Sequence, residues 1–164
     1  MTKIALSPRL YLSYGQFMVY DKNVQLPGCA WTDEHSRQGF ARRESVANFR
    51  ALIDFGHADV QVSLDAYEPR LEYERVIAVP FKVTSGEVIV EGPEETEPGR
   101  AFALTPVDYR LVAAQYATGD EEEAVDLFLS PATEPPQRSA ILVADKALSP
   151  PSPLIEAAGI AGEQ

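Results

Sequence analysis

The side chains best suited to nucleophilic chemistry in this chain are one cysteine, Cys29, and two histidines, His35 and His57. Nucleophilic catalysis needs an activated Ser or Cys with a histidine base within hydrogen-bond reach. Cys29 precedes His35 by six residues, a spacing that permits a contact but does not encode one. No glycine motif of the oxyanion-binding kind stands beside them, so the pattern favours a buried or incidental cysteine.

Carboxylates are the other groups with chemical potential, and Asp120–Glu123 is a run of four. Clustered carboxylates suit calcium, a hard cation. Consecutive residues of a turn rarely converge on one ion, however, so a solvated acidic turn is the favoured interpretation. A glycosidase-type pair of carboxylates stays open, because the sequence does not give their separation.

Other cofactor sites are not indicated. One cysteine and two separated histidines do not make a zinc set, and the ten glycines form no phosphate-binding loop. We therefore expect a protein that is not an enzyme and that uses no cofactor or metal.

The distribution of charge predicts a basic partner. The chain has 14 basic and 25 acidic residues, a net charge of −11. Residues 1–86 carry 10 of each sign, whereas residues 87–164 carry 15 acidic and 4 basic residues. Such a field repels nucleic acid and speeds encounter with basic proteins. The plainer alternative is that the acidic surface serves solubility.

The periodicity of the sequence predicts strands. Val60–Tyr67 alternates between apolar and polar residues, as a half-buried strand does. Glu74–Thr84 is a second strand, and Pro80 limits it to an edge or a bulge. The dipeptide Ser85-Gly86 predicts a hairpin turn into Glu87–Glu91. Further strands are predicted in the following segments: 9–20 with a break at Gly15, 48–54, 101–104, 108–117, 123–129 and 139–144.

These elements predict an all-β protein, an antiparallel β-sandwich of one domain over residues 1–148. One short helix is expected near residues 32–43, with Thr32 as its N-cap. Gly39 is unfavourable inside such a helix. Residues 149–164 begin with prolines and predict a poorly ordered tail unless they dock on a partner.

The sequence also carries expectations about location. Residues 1–9 do not resemble a signal peptide, and no segment approaches the roughly 20 apolar residues of a membrane span. The single cysteine fits a reducing compartment. We expect a cytoplasmic protein that does not enter a membrane.

The acidic loops are the candidate partner-binding surface. If the strands between them form a meander, they make one patch that mimics spaced phosphates and accepts bidentate hydrogen bonds from arginines. The alternative is that they are solvated strand ends; Asp33 would also suit a helix N-terminus on structural grounds alone. The candidate residues are Glu91, Glu94, Glu95, Glu97, Asp120, Glu121, Glu122, Glu123 and Asp33.

An ordered set of short segments resembles the competence protein J (ComJ) family and covers about residues 10–130. No resemblance is found in the last thirty or so residues. The segments are Leu12–Tyr20 (LSYGQFMVY), Trp31–Glu34 (WTDE), Gln38–Ala41 (QGFA), Val79–Thr84 (VPFKVT) with Gly86, and Leu104–Leu111 with Asp108-Tyr109.

The resemblance implies an inhibitor of a DNA-entry nuclease, or an immunity protein against a nuclease toxin, whose partner is that nuclease and not nucleic acid. It carries over no contact residues. Two alternatives stay open from the residues themselves. One is a non-catalytic β-sandwich module that binds calcium, a lipid headgroup or a carbohydrate, and the other is a hydrolase that uses two carboxylates.

Overall fold

Two β-sheets packed face to face form the structure, a computed structural model that describes residues 3–93, 100–133 and 138–161. The elements are β1 (Ile4–Leu6), β2 (Arg9–Leu12), β3 (Gln16–Asp21), β4 (Cys29–Ala30), α1 (Asp33–Gln38), β5 (Phe40–Arg43), β6 (Val46–Arg50), β7 (Gly56–Ser63), β8 (Arg75–Lys82), β9 (Glu87–Glu91), β10 (Arg100–Ala103), β11 (Asp108–Gly119), β12 (Glu122–Pro131), β13 (Ala140–Val143) and β14 (Gly159–Ile160).

The larger sheet has the order β1-β7-β12-β11-β8-β13, and β2 also pairs with β7. The smaller sheet has the order β10-β9-β3-β6-β5, and β14 pairs with β4 apart from both. The all-β prediction is confirmed, with one difference: β12 and β7 are parallel, with Glu122 opposite His57. Parallel neighbours cannot be joined by a hairpin, and here β8 to β11 intervene in the sequence.

The main core lies between the sheets. Val60 and Val62 of β7 point into it, and Phe17 of β3 stacks on Phe49 of β6 with ring centroids 5.4 Å apart. Burying a side chain of this size stabilises the fold by about 1.5–3 kcal/mol. The smaller sheet is also covered on its outer face, where Met18 belongs to a second cluster with Cys29 and Val46.

The helix is shorter than predicted. It begins after Thr32, whose hydroxyl accepts a hydrogen bond from the backbone N–H of His35, and it ends at Gly39 in the left-handed conformation (φ 87°). A Cβ at Gly39 would lie 3.0 Å from side-chain atoms of Ile77 and Leu148. Residues 40–43 were predicted as helix, but they form β5, because Phe40 is fully buried against the core as a strand residue.

The hairpin prediction at Ser85-Gly86 is wrong. β8 belongs to the larger sheet, while β9 pairs with β3 and β10 in the smaller one, so the turn crosses between the sheets. The carboxylate of Asp21, at the end of β3, accepts hydrogen bonds from the backbone N–H groups of Thr84 (2.8 Å) and Ser85 (3.0 Å). These bonds hold the crossing chain against the smaller sheet.

Pro80 has the local setting that the sequence predicts. β13 pairs with β8 at Val76, Ile77 and Ala78, so Pro80 lies beyond this pairing and faces β11 on its other side, opposite Arg110. A missing N–H is tolerated where a strand has one neighbour.

Residues 149–161, the described part of the predicted tail, lie against α1 and β4. The amide of Gln38 donates to the carbonyl of Ile155 (2.9 Å) and accepts from its N–H (2.8 Å). Ile160 pairs with Cys29 across β14 and β4. Within the described ranges, α1 is the single helix, and its six residues are too few for a membrane span.

Candidate partner-binding surface

The hairpin of β11 and β12 ends in the acidic tip, which we define as Asp120, Glu121 and Glu122. The two strands pair from Tyr109 opposite Pro131 to Gly119 opposite Glu122, so the tip is carried on a long antiparallel ladder. All three side chains of the acidic tip are exposed. Long paired strands give such a tip a fixed position, which suits a surface that must recognise a partner without rearranging.

Only one carboxylate of the acidic tip is paired within the described parts of the chain. Glu122 accepts a hydrogen bond from Arg9 at 3.1 Å, and Arg9 also binds Asp59 at 3.0 Å. These groups are about half exposed, so screening by solvent leaves each pair only a small contribution to stability. Asp120 and Glu121 form no ion pair with a described residue, so their carboxylates face solvent.

Glu123 was predicted to contact the partner, but the structure places its side chain fully buried. One carboxylate oxygen accepts from the backbone N–H groups of Leu52 (2.7 Å) and Ile53 (3.1 Å), and the other accepts from the Gln115 amide (3.1 Å). Burial raises the pKa of the Glu123 carboxyl, and these three hydrogen bonds act against that rise. Its position fixes the segment 51–55 beneath the hairpin.

The polar network continues across the larger sheet. Arg75 is 1% exposed and binds Asp145 through two hydrogen bonds of 2.9 and 3.0 Å. Arg75 and Gln115 both donate to the carbonyl of Arg50, at 2.8 and 3.1 Å. Buried charges are tolerated when they are paired and hydrogen-bonded in this way. The network therefore anchors the chain where it leaves β6.

The segment after β6 touches the acidic tip directly. The backbone N–H of His57 donates to the carbonyl of Glu121 at 3.0 Å. Gly56 has φ 139°, and a Cβ on it would lie 2.0 Å from that same oxygen. A glycine is required here, because no larger residue fits between the two backbones.

Three exposed aromatic side chains lie on the segments next to the acidic tip, and we call Tyr11, Tyr14 and Phe55 the aromatic patch. They are 48%, 69% and 56% exposed. The Tyr11 ring meets His57 edge-on with centroids 5.5 Å apart. Gly15 donates to the carbonyl of Asp54 at 3.0 Å, which joins the turn that carries Tyr14 to the residue before Phe55.

Tyr14 has an unusual backbone conformation. Its φ is 59°, the left-handed region, and it is the one non-glycine residue with positive φ in the described part of the chain. This conformation costs a residue with a Cβ about 1–2 kcal/mol. A pocket of about 340 Å³ opens beside it, lined by Trp31, Arg50 and Asp54 among others.

The remaining predicted residues lie elsewhere. Glu91 is at the end of β9 in the smaller sheet, half-buried, and accepts a hydrogen bond of 2.6 Å from the Tyr20 hydroxyl. Asp33 is exposed in the first turn of α1. Glu94, Glu95 and Glu97 lie outside the described residues. The structure thus brings together Asp120, Glu121 and Glu122, and it records no contact between them and Glu91 or Asp33.

Cys29 and His35 do not form a catalytic pair. Cys29 is buried, and burial raises the pKa of its thiol. The His35 ring contacts Thr32 through Nδ1 (2.9 Å to its hydroxyl) and the Ala157 carbonyl through Nε2 (2.9 Å). Within the described ranges no three His, Cys, Asp or Glu side chains are grouped to hold a metal ion.

The aromatic patch was missed at the level of sequence. Tyr14 falls inside the segment 9–20, where the sequence predicts strands with a break at Gly15, and Phe55 follows the predicted strand 48–54. The sequence feature that could have indicated their exposure is an aromatic residue directly before a glycine, as in Tyr14-Gly15 and Phe55-Gly56. Alternation alone assigns such residues to a core face.

Fold and surface together define a β-sandwich protein in which exposed aromatic residues lie on segments bonded to an exposed acidic hairpin tip. Comparison with known families specifies it further: residues 9–134 match the model of Competence protein J (ComJ), and the chain belongs to this family. A curated relative, the DNA-entry nuclease inhibitor of Bacillus subtilis (strain 168), is 31% identical over 102 residues, which cover 62% of this chain and 75% of the relative. The predicted family is therefore confirmed.

Two solved structures are similar. One is the crystal structure of ComJ from Bacillus subtilis, described as an inhibitor of the DNA degrading activity of NucA; its TM-score is 0.70 at 26% identity, over 80% of this chain and 99% of that chain. The other, Crocagin biosynthetic gene J, has a TM-score of 0.54 at 12% identity, over 81% and 99%. The second shares the fold alone. A relative that acts as an inhibitor agrees with the prediction that the chain is not an enzyme.

Proposed function

We propose that this chain binds a DNA-degrading nuclease and inhibits it, as a competence-linked inhibitor or as an immunity protein. One observation carries the proposal: residues 9–134 match the ComJ family, whose Bacillus subtilis relative is a DNA-entry nuclease inhibitor. The acidic tip and the aromatic patch both lie within these matched residues.

The proposed mechanism is occlusion of the nuclease groove, helped by carboxylates that take the place of DNA phosphates. Asp120 and Glu121 support it, because they are exposed, without ion pairs to the described residues, and held on a fixed hairpin. A carboxylate accepts two parallel hydrogen bonds from an arginine, as a phosphate does. The net charge of −11 would speed encounter with a basic groove.

Other acidic residues extend the proposed surface. Glu91, Glu94, Glu95, Glu97 and Asp33 remain candidates for contact with the nuclease. Glu123 supports the surface from below, because its buried carboxylate holds the backbone of Leu52 and Ile53.

The test is cleavage of plasmid DNA by NucA of Bacillus subtilis, and by any nuclease encoded beside this protein, with increasing amounts of this protein. We expect cleavage to stop at about one equivalent. The variant Asp120→Asn/Glu121→Gln removes two rim charges worth about 0.5–1 kcal/mol each. The concentration for half inhibition should therefore rise about five- to thirtyfold at low salt, and less at high salt.

The matched control is Glu68→Gln/Asp108→Asn, which makes the same change in net charge at two exposed residues outside the acidic tip. Equal loss of inhibition in both variants would show that net charge matters and the acidic tip does not. Undiminished inhibition by the tip variant would remove the phosphate mimicry and keep the inhibitor. Failure of the parent protein to slow either nuclease at any ratio would refute the proposed function.

A further inference from the structure

We infer that the aromatic patch is the anchor with which this chain docks on the nuclease, and that Tyr14 is its central contact. The inference rests on the proposed function and specifies the surface that performs it. In this arrangement Tyr11, Tyr14 and Phe55 bury against the partner, and the acidic tip forms the charged rim beside them.

The exposure of these rings is the first support. Eight large hydrophobic side chains in the described part of the chain are exposed, and only three of them are aromatic. Those three are the aromatic patch. Exposed apolar groups scattered singly need no explanation, but a contiguous group marks an interaction site. Tyr is also enriched among the residues that contribute most to protein interfaces.

The three rings lie on segments that contact one another. Tyr11 is opposite His57 in the pairing of β2 with β7, and Phe55 lies two residues before that histidine. The turn of Tyr14 and Gly15 is held on both sides, because Gly15 donates to the carbonyl of Asp54 and accepts from the N–H of Ala51 (2.7 Å). Strand β2, the turn after it and the loop before β7 therefore carry the three rings on segments that are bonded to one another.

The support beneath this surface is rigid. Gly56 lies so close to Glu121 that a Cβ on it would be 2.0 Å from the Glu121 carbonyl oxygen, and the buried carboxylate of Glu123 holds the N–H groups of Leu52 and Ile53. Little conformational freedom is then left to lose on binding, which favours affinity. A tyrosine adds large contact area with only two side-chain torsions.

The conformation of Tyr14 is the second support. A glycine or an asparagine adopts φ 59° with less strain than a tyrosine. The ring is exposed, so packing within the chain does not account for a tyrosine at this position. Strained residues that the surrounding structure holds in place are concentrated at functional sites.

The charge beside the aromatic patch favours a basic nuclease as the partner that binds there. Asp54, Asp120 and Glu121 are exposed acidic neighbours that form no ion pair with the described residues. Tyrosine rings stack on arginine guanidinium groups. Arg50 beside Tyr14 is engaged with the carbonyls of Ser36 and Ala147. Exposed acidic groups next to aromatic rings fit the basic edge of a nuclease groove, which binds phosphates with such residues. A second copy of this chain would bring like charges together.

The experiment measures binding of NucA, and of any nuclease encoded beside this protein, by isothermal titration calorimetry, together with the thermal midpoint of each variant. Tyr14→Gly and Tyr14→Asn both suit the left-handed backbone and remove the ring. We expect the Kd of both to rise about thirtyfold or more, the effect of an interface hot spot. Their thermal midpoints should be no lower than the parent's.

Further variants separate the ring from other effects. Tyr14→Phe retains the ring and should bind within a few-fold of the parent. Phe55→Ala should weaken binding as Tyr14→Asn does. Leu71→Ala is the matched control, because Leu71 is fully exposed on the loop between β7 and β8, and its loss should leave the Kd unchanged.

The outcomes separate the docking surface from the inhibitor function. Parent-like binding by Tyr14→Gly, Tyr14→Asn and Phe55→Ala would overturn this inference while the inhibitor function stands. Self-association of the parent that these variants abolish, with inhibition unchanged, would assign the patch to a second copy and also overturn it. A parent protein that binds neither nuclease would refute the proposed function itself.

Discussion

Substitution of Gly56 by alanine tests the contact between the acidic tip and the loop beneath it. A Cβ at this position would lie 2.0 Å from the carbonyl oxygen of Glu121 and 2.8 Å from its carbon. Both atoms belong to the backbone, so no side-chain rotation can relieve the clash. The hairpin must move away from the loop, and the hydrogen bond from His57 to Glu121 is then lost.

The expected cost follows from three terms. Alanine at φ 139° carries backbone strain of about 1–3 kcal/mol, the lost hydrogen bond about 1 kcal/mol, and the overpacking about 1–3 kcal/mol. The free energy of unfolding should fall by about 3–7 kcal/mol, a large part of the usual 5–15 kcal/mol. At about 2–4 °C per kcal/mol for a chain of this size, even the lower bound shifts the melting temperature by about 6–12 °C.

The assay is urea denaturation followed by circular dichroism, with Gly86→Ala as the matched control. Gly86 also has positive φ (87°), but its Cβ would find the nearest heavy atom at 4.0 Å, so backbone strain is the only cost. That control should lose about 1–2 kcal/mol. Equal losses in the two variants would refute the close approach at Gly56. A folded Gly56→Ala protein should also inhibit the nuclease poorly, because the acidic tip and Phe55 lose their mutual support.

Two further predictions concern side chains that connect distant parts of the chain. Burial acts to raise the pKa of Asp21, but hydrogen bonds from Ser85, Thr84 and Asn23 outweigh burial and lower that pKa. A carboxyl group with a lowered pKa stabilises the fold at pH values above its unfolded pKa of about 4. This stability is lost as the pH falls from there through the folded pKa. Urea midpoints between pH 7 and pH 2 should show this acid loss in the parent and a smaller one in Asp21→Asn, and equal slopes would contradict the assignment. Gln38→Ala removes both hydrogen bonds to Ile155 and should cost about 1–3 kcal/mol. Hydrogen exchange should then quicken in residues 150–160 and not in β11, whereas unchanged exchange there would show that Gln38 does not hold the segment.

Most strands could be predicted from the sequence, because alternation of apolar and polar residues reports which side of a strand is buried. The predicted segments 101–104, 108–117 and 123–129 each overlap an observed strand, β10, β11 and β12. The predicted helix was longer than the observed one, because the charged and polar residues of 32–43 fit a helical surface. Phe40 instead begins strand β5 and is fully buried in the core.

The candidate site was predictable in part. The exposed acidic tip follows from charge and turn composition alone. Glu123 was placed with it, although in β12 it shares the face of Val125, Leu127 and Leu129, which point into the main core. That alternation was the available signal. It was hidden because residues on both faces of β12 are buried, so apolar residues occupy both faces, with Asp126 as the one polar residue from Ala124 to Leu129.

The sequence by itself determined the fold class, the family and the acidic character of the second half, because these depend on composition and on local pattern. Only the tertiary structure decided which sheet each strand joins, as the crossing at Ser85-Gly86 shows. It also decided that the segments carrying Tyr11, Tyr14 and Phe55 are bonded to one another beside the acidic tip. Contacts of this kind depend on chain segments far apart in sequence, brought together by the packing of two sheets, and no local pattern encodes them.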